Sequence, residues 1–264
     1  MRVSFKNKTI LITGAGSGIG EAIAYQFAEK GANVILTGLD LENLDKVKVN
    51  CEKFNIKAFS YECDLSDYNS IDNLVSYIEE NNLLIDVFIL NAGISQRAKA
   101  LETDFAVDRK LMDINYFGSV YLIKKFKDHL KSGRHINIAV NTSISGLFGF
   151  PLRSAYCGSK HALFGFFESL DLENDNINVT FIIPGRINTQ ISKSAMLGSG
   201  EKYDKMDHGQ SSGMDVNTCA KIAVKAISKQ KHRKLIGRKE LLMVYIHKYI
   251  PALYYKLAKK ISST

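Results

Sequence analysis

Tryptophan is absent, and 264 residues contain only three prolines and four cysteines. The cysteines, Cys51, Cys63, Cys157 and Cys219, form no CxxC pair and no His/Cys cluster at zinc-finger spacing. That excludes a disulfide scaffold and a zinc module, and reduced thiols in a cytosolic chain are expected. No metal site is expected either. No Pro/Ser-rich linker or internal repeat divides the sequence, so collagen, coiled coil and low-complexity classes fall away. Met1 to Lys8 carries positive charge, but the apolar stretch after it breaks into glycines without a small-residue cleavage site. A secretory signal is therefore not expected, and the location read from the sequence is cytoplasmic. What is present is core material: 14 Phe, 12 Tyr and a 45% hydrophobic composition, with 23% charged residues. That balance excludes intrinsic disorder.

Positive charge is confined to one region. The formal net charge is +8, yet residues 229–260 alone hold ten Lys/Arg against Glu240 and carry +9, leaving −1 for everything else. A body without excess charge is a poor nucleic-acid binder, so no nucleic-acid partner is expected.

Short apolar runs alternate with helical patterns. Strand-like segments are Lys8–Thr13, Asn33–Thr37, Ile56–Cys63, Ile85–Leu90, Arg134–Val140 and Ile177–Ile183. Helical patterns fall at Ile19–Lys30, Asp40–Phe54, Asp67–Asn81, Asp104–Lys131 and Ser154–Asn174. Alternation of this kind implies right-handed crossovers. The expected fold is α/β: a single doubly wound Rossmann-type domain over 1–264, its mostly parallel seven-stranded sheet, one strand more than the six runs legible here, covered by helices on both faces. Residues 186–216 break the rhythm after a strand end and read as a substrate lid.

Thr13-Gly14-Ala15-Gly16-Ser17-Gly18-Ile19-Gly20 joins the first strand to the first helix. Small residues there permit a tight bend and close approach of backbone N–H groups to a pyrophosphate. The spacing is T-G-x-x-x-G-x-G and not the common G-x-G-x-x-G. Asn91-Ala92-Gly93 follows the fourth strand in the equivalent position. Asp64 follows the third, either as acceptor for an adenine amino group or as a helix cap, a role for which Ser66 competes.

Tyr156 and Lys160 are four apart at the start of a helix and share a face. A phenol titrates near pH 10 in water and is a poor acid–base group at neutrality unless a nearby cation stabilises the phenolate. Ser143, thirteen residues earlier and just past the fifth strand, is a candidate donor to a substrate oxygen.

With TGAGSGIG at Thr13–Gly20, CDL at Cys63–Leu65, NAG at Asn91–Gly93, Asn115 in INYFG, Ser143 in NTSISG, YCGSK at Tyr156–Lys160 and PGRINT at Pro184–Thr189, the sequence resembles the short-chain dehydrogenase/reductases over nearly its whole length. The resemblance implies hydride transfer between NAD(P) and an alcohol or carbonyl. It makes Tyr156 the acid–base and Ser143 the donor that positions the reacting oxygen. Lys160 becomes the residue that lowers the tyrosine pKa and holds the nicotinamide ribose, and Asn115 part of a proton relay. Cofactor contacts are implied at Gly14, Gly16, Ser17, Gly18, Ile19, Gly20, Leu39, Asp40, Asp64, Leu65, Asn91, Ala92 and Gly93. Others are implied at Tyr156, Lys160, Pro184, Gly185, Ile187 and Thr189, the last toward the carboxamide. A homodimer or homotetramer built on the long helices is implied as well. The rival reading on the same fold is a catalytically silent dinucleotide-binding sensor or scaffold.

Asn91–Lys110 and the basic C-terminus most resemble the 11β-hydroxysteroid-dehydrogenase-like, membrane-associated branch. Phe148, Phe150 and Leu152 near the expected pocket mouth point to a lipophilic substrate, with core packing as the competing explanation. NAD-selective relatives place Asp where this chain has Gly38; NADP-selective ones place Arg where it has Leu39, and often a basic residue at Ser17. Asp40 is either a ribose anchor favouring NAD or a helix cap. The branch resemblance favours NADP, with NAD the alternative. In the basic amphipathic segment 229–264, Leu242, Ile246, Tyr249, Ile250, Leu253 and Leu257 are expected on one helical side, with Pro251 dividing the helix. Uncharged runs there stop at seven residues, far short of the roughly 20 that span a bilayer. The segment is read either as a cap on the domain or as a peripheral contact with anionic membrane.

Overall fold

A computed structural model describes residues 3–260, except the side chains of His208 and Gln210. Met1, Arg2 and the last four residues of the basic segment lie outside the described residues. Seven strands form one sheet: β1 (Thr9–Thr13), β2 (Asn33–Gly38), β3 (Ala58–Glu62), β4 (Val87–Leu90), β5 (Ile136–Asn141), β6 (Ile177–Pro184) and β7 (Arg233–Ile236). Their order is β3-β2-β1-β4-β5-β6-β7, and every pairing is parallel. The expectation of a mostly parallel sheet is thus sharpened to a wholly parallel one.

Alternate residues of each strand enter opposite cores, as the two-residue strand period requires. Ile10 and Ile12 of β1, with Val34 and Leu36 of β2, pack under α1 (Gly18–Ala28), α2 (Leu41–Glu52) and Val216–Ser228 through Phe27, Leu44 and Val224. Leu11 and Ile35 point the other way, into a core shared with Phe88, Ile71 and Leu74 of α3 (Tyr68–Glu80), and Phe167. Burial on both faces explains why these strands read as continuous apolar runs.

The expected single helix Asp104–Lys131 is four pieces. They are α4 (Phe105–Met112), a π turn (Asp113–Phe117), α5 (Gly118–Lys125) and α6 (Lys127–Leu130). The break has two causes. Asn115 is tied to Ile94 by a pair of hydrogen bonds, from Ile94 N to its Oδ1 (2.8 Å) and from its Nδ2 to Ile94 O (3.0 Å). Gly118 runs so close to the β3–α3 connection that a Cβ there would lie 2.3 Å from Leu65 O. A π turn inside an α-helix commonly marks a functional position.

α7 (Ser154–Glu173) follows β5 as expected. The 186–216 segment holds a short 3-10 turn at Gln190–Ser192 and one turn of helix, α8 (His208–Ser211), before α9 (Val216–Ser228). The basic region is no free tail at its start, because β7 closes the sheet edge. Arg233 and Lys234 on that edge discourage pairing with another chain.

Two helices, α10 (Leu242–Tyr249) and α11 (Pro251–Ala258), end the described chain, divided at Pro251 as expected. Their packing face differs from the predicted one. Met243, Val244 and Ile246 with Tyr254 and Ala258 pack on Phe148, and Tyr254 Oη donates to Gly149 O. Leu242, Tyr249, Ile250 and Leu253, expected with Ile246 on one side, are exposed. The turn at Ile250 (φ −137°, ψ 63°) reorients α11, which a continuous helical wheel does not anticipate.

Candidate active site

The carboxyl ends of β1, β4, β5 and β6 open into one cleft. At its first end, Gly14, Gly16, Ser17, Leu39, Asp40, Asp64, Leu65, Ala92 and Gly93 line a hollow with Asn43 and Ile114. Midway, Ser17, Gly18, Ile19, Asn91, Gly93 and Thr189 line its continuation. At the far end lie Ser143, Tyr156, Lys160, Pro184, Gly185 and Ile187 with Ser95, Arg97 and Arg153. Gly20 and Asn115 stand behind the walls of this cleft.

The first end is fastened by the Thr13 and Asn91 side chains, mostly to backbone groups. Thr13 Oγ1 accepts from Asn91 N (3.0 Å) and Ala92 N (3.1 Å). Asn91 Nδ2 donates back to Thr13 O and Gly14 O, while its Oδ1 accepts from Asn141 Nδ2 (2.7 Å). Gly14 sits at φ +64°, a left-handed geometry that favours glycine. A Cβ on Gly20 would lie 2.2 Å from Gly14 O, so helix and turn touch directly. Ser17, the residue capping α1, makes no side-chain capping bond, which leaves that helix start available to an anion. A turn with no side chain intruding and an open helix start fit a dinucleotide pyrophosphate.

Two ambiguous carboxylates resolve differently. Asp40 caps α2, accepting from Asn43 N (3.0 Å) and Asn43 Nδ2 (2.6 Å). For α3 the cap is Asp67, bonded to Asn69 N, and neither Asp64 nor Ser66. Asp64 instead accepts from Ser66 N and Oγ, facing the hollow beside Leu65. Leu39 is 64% exposed at its rim.

At the far end, Ser143 Oγ accepts from Ser145 N (3.1 Å) and is hydrogen-bonded to Tyr156. Lys160 Nζ donates to Asn141 O (2.8 Å) and lies 6.0 Å from the centre of the Tyr156 ring. Burial lowers its pKa to about 8. Burial also raises the Tyr156 phenol above its ordinary 10.0, opposed first by the charge of Arg153, then by the Ser143 bond and Arg97. Asn115 Nδ2 donates to Ser159 Oγ (3.0 Å) as well as to Ile94 O, linking the π turn to α7.

Several groups here escaped the sequence reading. Arg97 donates to Asp207 through Nε (3.0 Å) and Nη2, and through Nη1 to Ser95 Oγ and Gln96 O. Arg153 reaches Asp207 at 3.4 Å. Gln96 Oε1 caps α7, accepting from Ala155 N (2.9 Å). The Asp207 contacts and the Gln96 cap span 54 to 110 positions, so no local motif marks them. The expected pocket-mouth group also changes role: Phe148 is buried against Tyr254, ring centroids 5.1 Å apart, as core packing would have it.

The model for short chain dehydrogenases matches residues 8–200. A dehydrogenase/reductase SDR family protein 7-like from Anopheles gambiae is 36% identical over 269 residues, covering 97% of this chain and 85% of the relative. The dehydrogenase/reductase SDR family member 7B of Xenopus laevis is 33% identical, with 94% and 80% covered. Among solved structures, a short-chain dehydrogenase/reductase from Burkholderia phymatum in complex with NAD superposes with a TM-score of 0.83 at 20% identity, covering 95% and 96% of the two chains. A short-chain dehydrogenase from Sphingobium yanoikuyae in complex with NADPH gives 0.76 at 21%, with 97% of each covered. The fold, the cleft and these relatives agree: the chain belongs to the short-chain dehydrogenase/reductase family of NAD(P)-dependent oxidoreductases.

Proposed function

We propose that this protein transfers a hydride between NADP and an alcohol or carbonyl compound with an apolar part, with Tyr156 as general acid–base. The observation that carries the reading is the convergence of Ser143, Tyr156 and Lys160 at one end of a cleft whose other end is the glycine turn. Gly14, Gly16, Ser17, Gly18, Ile19 and Gly20 would hold the pyrophosphate. Leu39, Asp64 and Leu65 would border the adenosine, and Asn91, Ala92 and Gly93 the cleft floor. Pro184, Gly185, Ile187 and Thr189 would flank the nicotinamide. The dinucleotide supplies or accepts the hydride; the chain supplies a proton and a position.

In reduction, Ser143 donates to the substrate oxygen and Tyr156 gives it a proton. In oxidation, the Tyr156 oxygen takes that proton back. Lys160 stands behind the pair as an ammonium held by Asn141 O, and favours the phenolate. Asn115, with both amide groups engaged, fixes the π turn from which a proton path to solvent would run. Residues 186–216 act as the lid, carrying Ile191 and Asp207 to the cleft. NADP is favoured because the Asp40 carboxylate is spent on its own helix; NAD is the alternative.

Exposed Leu242, Tyr245, Tyr249 and Ile250 beside Lys248 and Lys256 support a peripheral contact with anionic bilayer on the cytoplasmic side. No helix among the described residues is long and apolar enough to cross a membrane. Exposed Phe105 and Leu172 on α4 and α7 support a homodimer or homotetramer built on those helices.

The deciding experiment is protein-dependent oxidation of NADPH against a panel of ketones and aldehydes. Turnover that requires Tyr156 supports the reading. Tight NADPH binding without turnover on any carbonyl would establish the silent sensor instead. Co-sedimentation with anionic vesicles, weakened at about 0.5 M salt by screening, tests the membrane contact.

A further inference from the structure

The reacting end of the cleft contains more positive charge than it neutralises. Arg97 and Arg153 line it with Lys160, and among the described residues the one carboxylate bonded to either arginine is Asp207. The two arginines are not equivalent. Arg97 is almost fully buried, and its guanidinium is consumed by Asp207, Ser95 and Gln96. Arg153 has only a 3.4 Å contact to the same Asp207 oxygen, and its side chain retains 20% exposure. Its Nε is buried without a hydrogen-bond partner among the described residues. Phe150 lies beside the guanidinium, 5.9 Å from its ring centre, and provides a flat apolar support.

A buried donor left unmade is costly, and a guanidinium is the side chain best shaped to take two oxygens of one anion. Arg153 caps the start of α7, three residues before Tyr156, and both side chains line the same end of the cleft. An anionic group held by Arg153 would leave the rest of its molecule beside the Ser143 and Tyr156 hydroxyls. We infer that Arg153 is the specificity residue for a carboxylate or phosphate borne by the substrate close to its reacting carbon. The inference rests on the oxidoreductase reading and narrows its substrate class to anionic, amphiphilic carbonyls and alcohols. Arg97 and Asp207 brace the site, Asp207 accepting from both arginines.

The test compares matched pairs on the cofactor-loaded protein: keto acids against their methyl esters, and a keto phosphate against its dephosphorylated alcohol. The anionic member of at least one pair is expected to have a kcat/KM at least tenfold higher, mainly through KM. The carboxylate and phosphate arms show which anion is preferred. In Arg153→Met the acid-to-ester ratio should collapse toward one, whereas Arg153→Lys should retain part of it. An independent readout needs no turnover: benzoate or inorganic phosphate at millimolar concentration should raise the melting temperature of the wild type and not that of Arg153→Met. Equal kcat/KM for both members of every pair overturns the inference, as does a loss in Arg153→Met of the same factor on acid and ester. If no carbonyl is turned over while NADPH binds, the oxidoreductase reading fails, and the melting-temperature comparison alone decides the anion site.

Discussion

The end proposed for the cofactor is held by close backbone packing and neutral amides: Gly14, Gly20 and the Asn91 side chain lock turn, helix and strand ends together. Its carboxylates, Asp40 and Asp64, bond their own local backbone. The end proposed for the substrate is made of charge: Arg97, the Arg153 and Lys160 of the α7 start, and Asp207, drawn from three separate stretches of chain. The first end depends on what side chains leave vacant, the second on what they neutralise. Substitutions should therefore act through packing at one end and through electrostatics at the other.

The largest effect is expected at Asp207. Asp207→Ala leaves Arg97 buried without its partner, and breaking such a pair costs about 3–5 kcal/mol. Urea unfolding should show the loss, and Arg97→Met combined with Asp207→Ala should recover part of it. A double variant no more stable than the single one would mean that the ion pair is not what holds the 186–216 segment to the cleft.

Next comes Tyr156→Phe, expected to lower turnover by a factor of about 10² or more while cofactor affinity stays put. Turnover within threefold of wild type would remove Tyr156 from the mechanism. The pH dependence follows from the directions of the shifts. Burial holds the phenol above 10.0, so it remains protonated for ketone reduction throughout the neutral range. Lys160 loses its charge as pH rises through about 8, and reduction should decline there. A rate that instead increases through pH 8 contradicts this assignment.

Gly20→Ala tests the other end. The new Cβ would meet backbone at Gly14 O, which cannot swing aside as a side-chain tip could. Overpacking of this kind costs about 1–3 kcal/mol, and cofactor affinity should fall with it. Unchanged melting and unchanged NADPH affinity would show that helix and turn can separate.

The same contrast decides what was legible in the sequence. The glycine turn, Asn91-Ala92-Gly93 and the Tyr156/Lys160 pair are local: one turn or one helix face contains the whole signal. Strand positions were readable because burial on both faces gives unbroken apolar runs. The π turn at Asp113–Phe117 was not, since its causes, Ile94 and Leu65, lie in other loops. Nor was Asp207, which lies 110 residues from Arg97 in a segment without periodicity. The tail misled through its geometry. A helical wheel drawn across Pro251 assumes one axis, and the chain uses two.

The smallest expected effect lies at Asp40, where the two ends meet in one question: whether a carboxylate at the cofactor end serves the fold or the ligand. Its oxygens accept from Asn43 N and Asn43 Nδ2, which makes it the cap of α2. Losing such a cap costs about 1 kcal/mol. Asp40→Ala should therefore lower stability by that amount while NAD affinity stays within threefold. NADP affinity should hold or rise, because a carboxylate beside a 2′-phosphate repels it and removing the charge relieves that repulsion. Calorimetric titration of both dinucleotides, alongside urea unfolding, separates the outcomes. A drop of more than tenfold in NAD affinity with unchanged stability would mean that Asp40 leaves its helix to bind the ribose. The cofactor end would then rely on charge as well, and the contrast between the two ends would fail at the residue that tests it most directly.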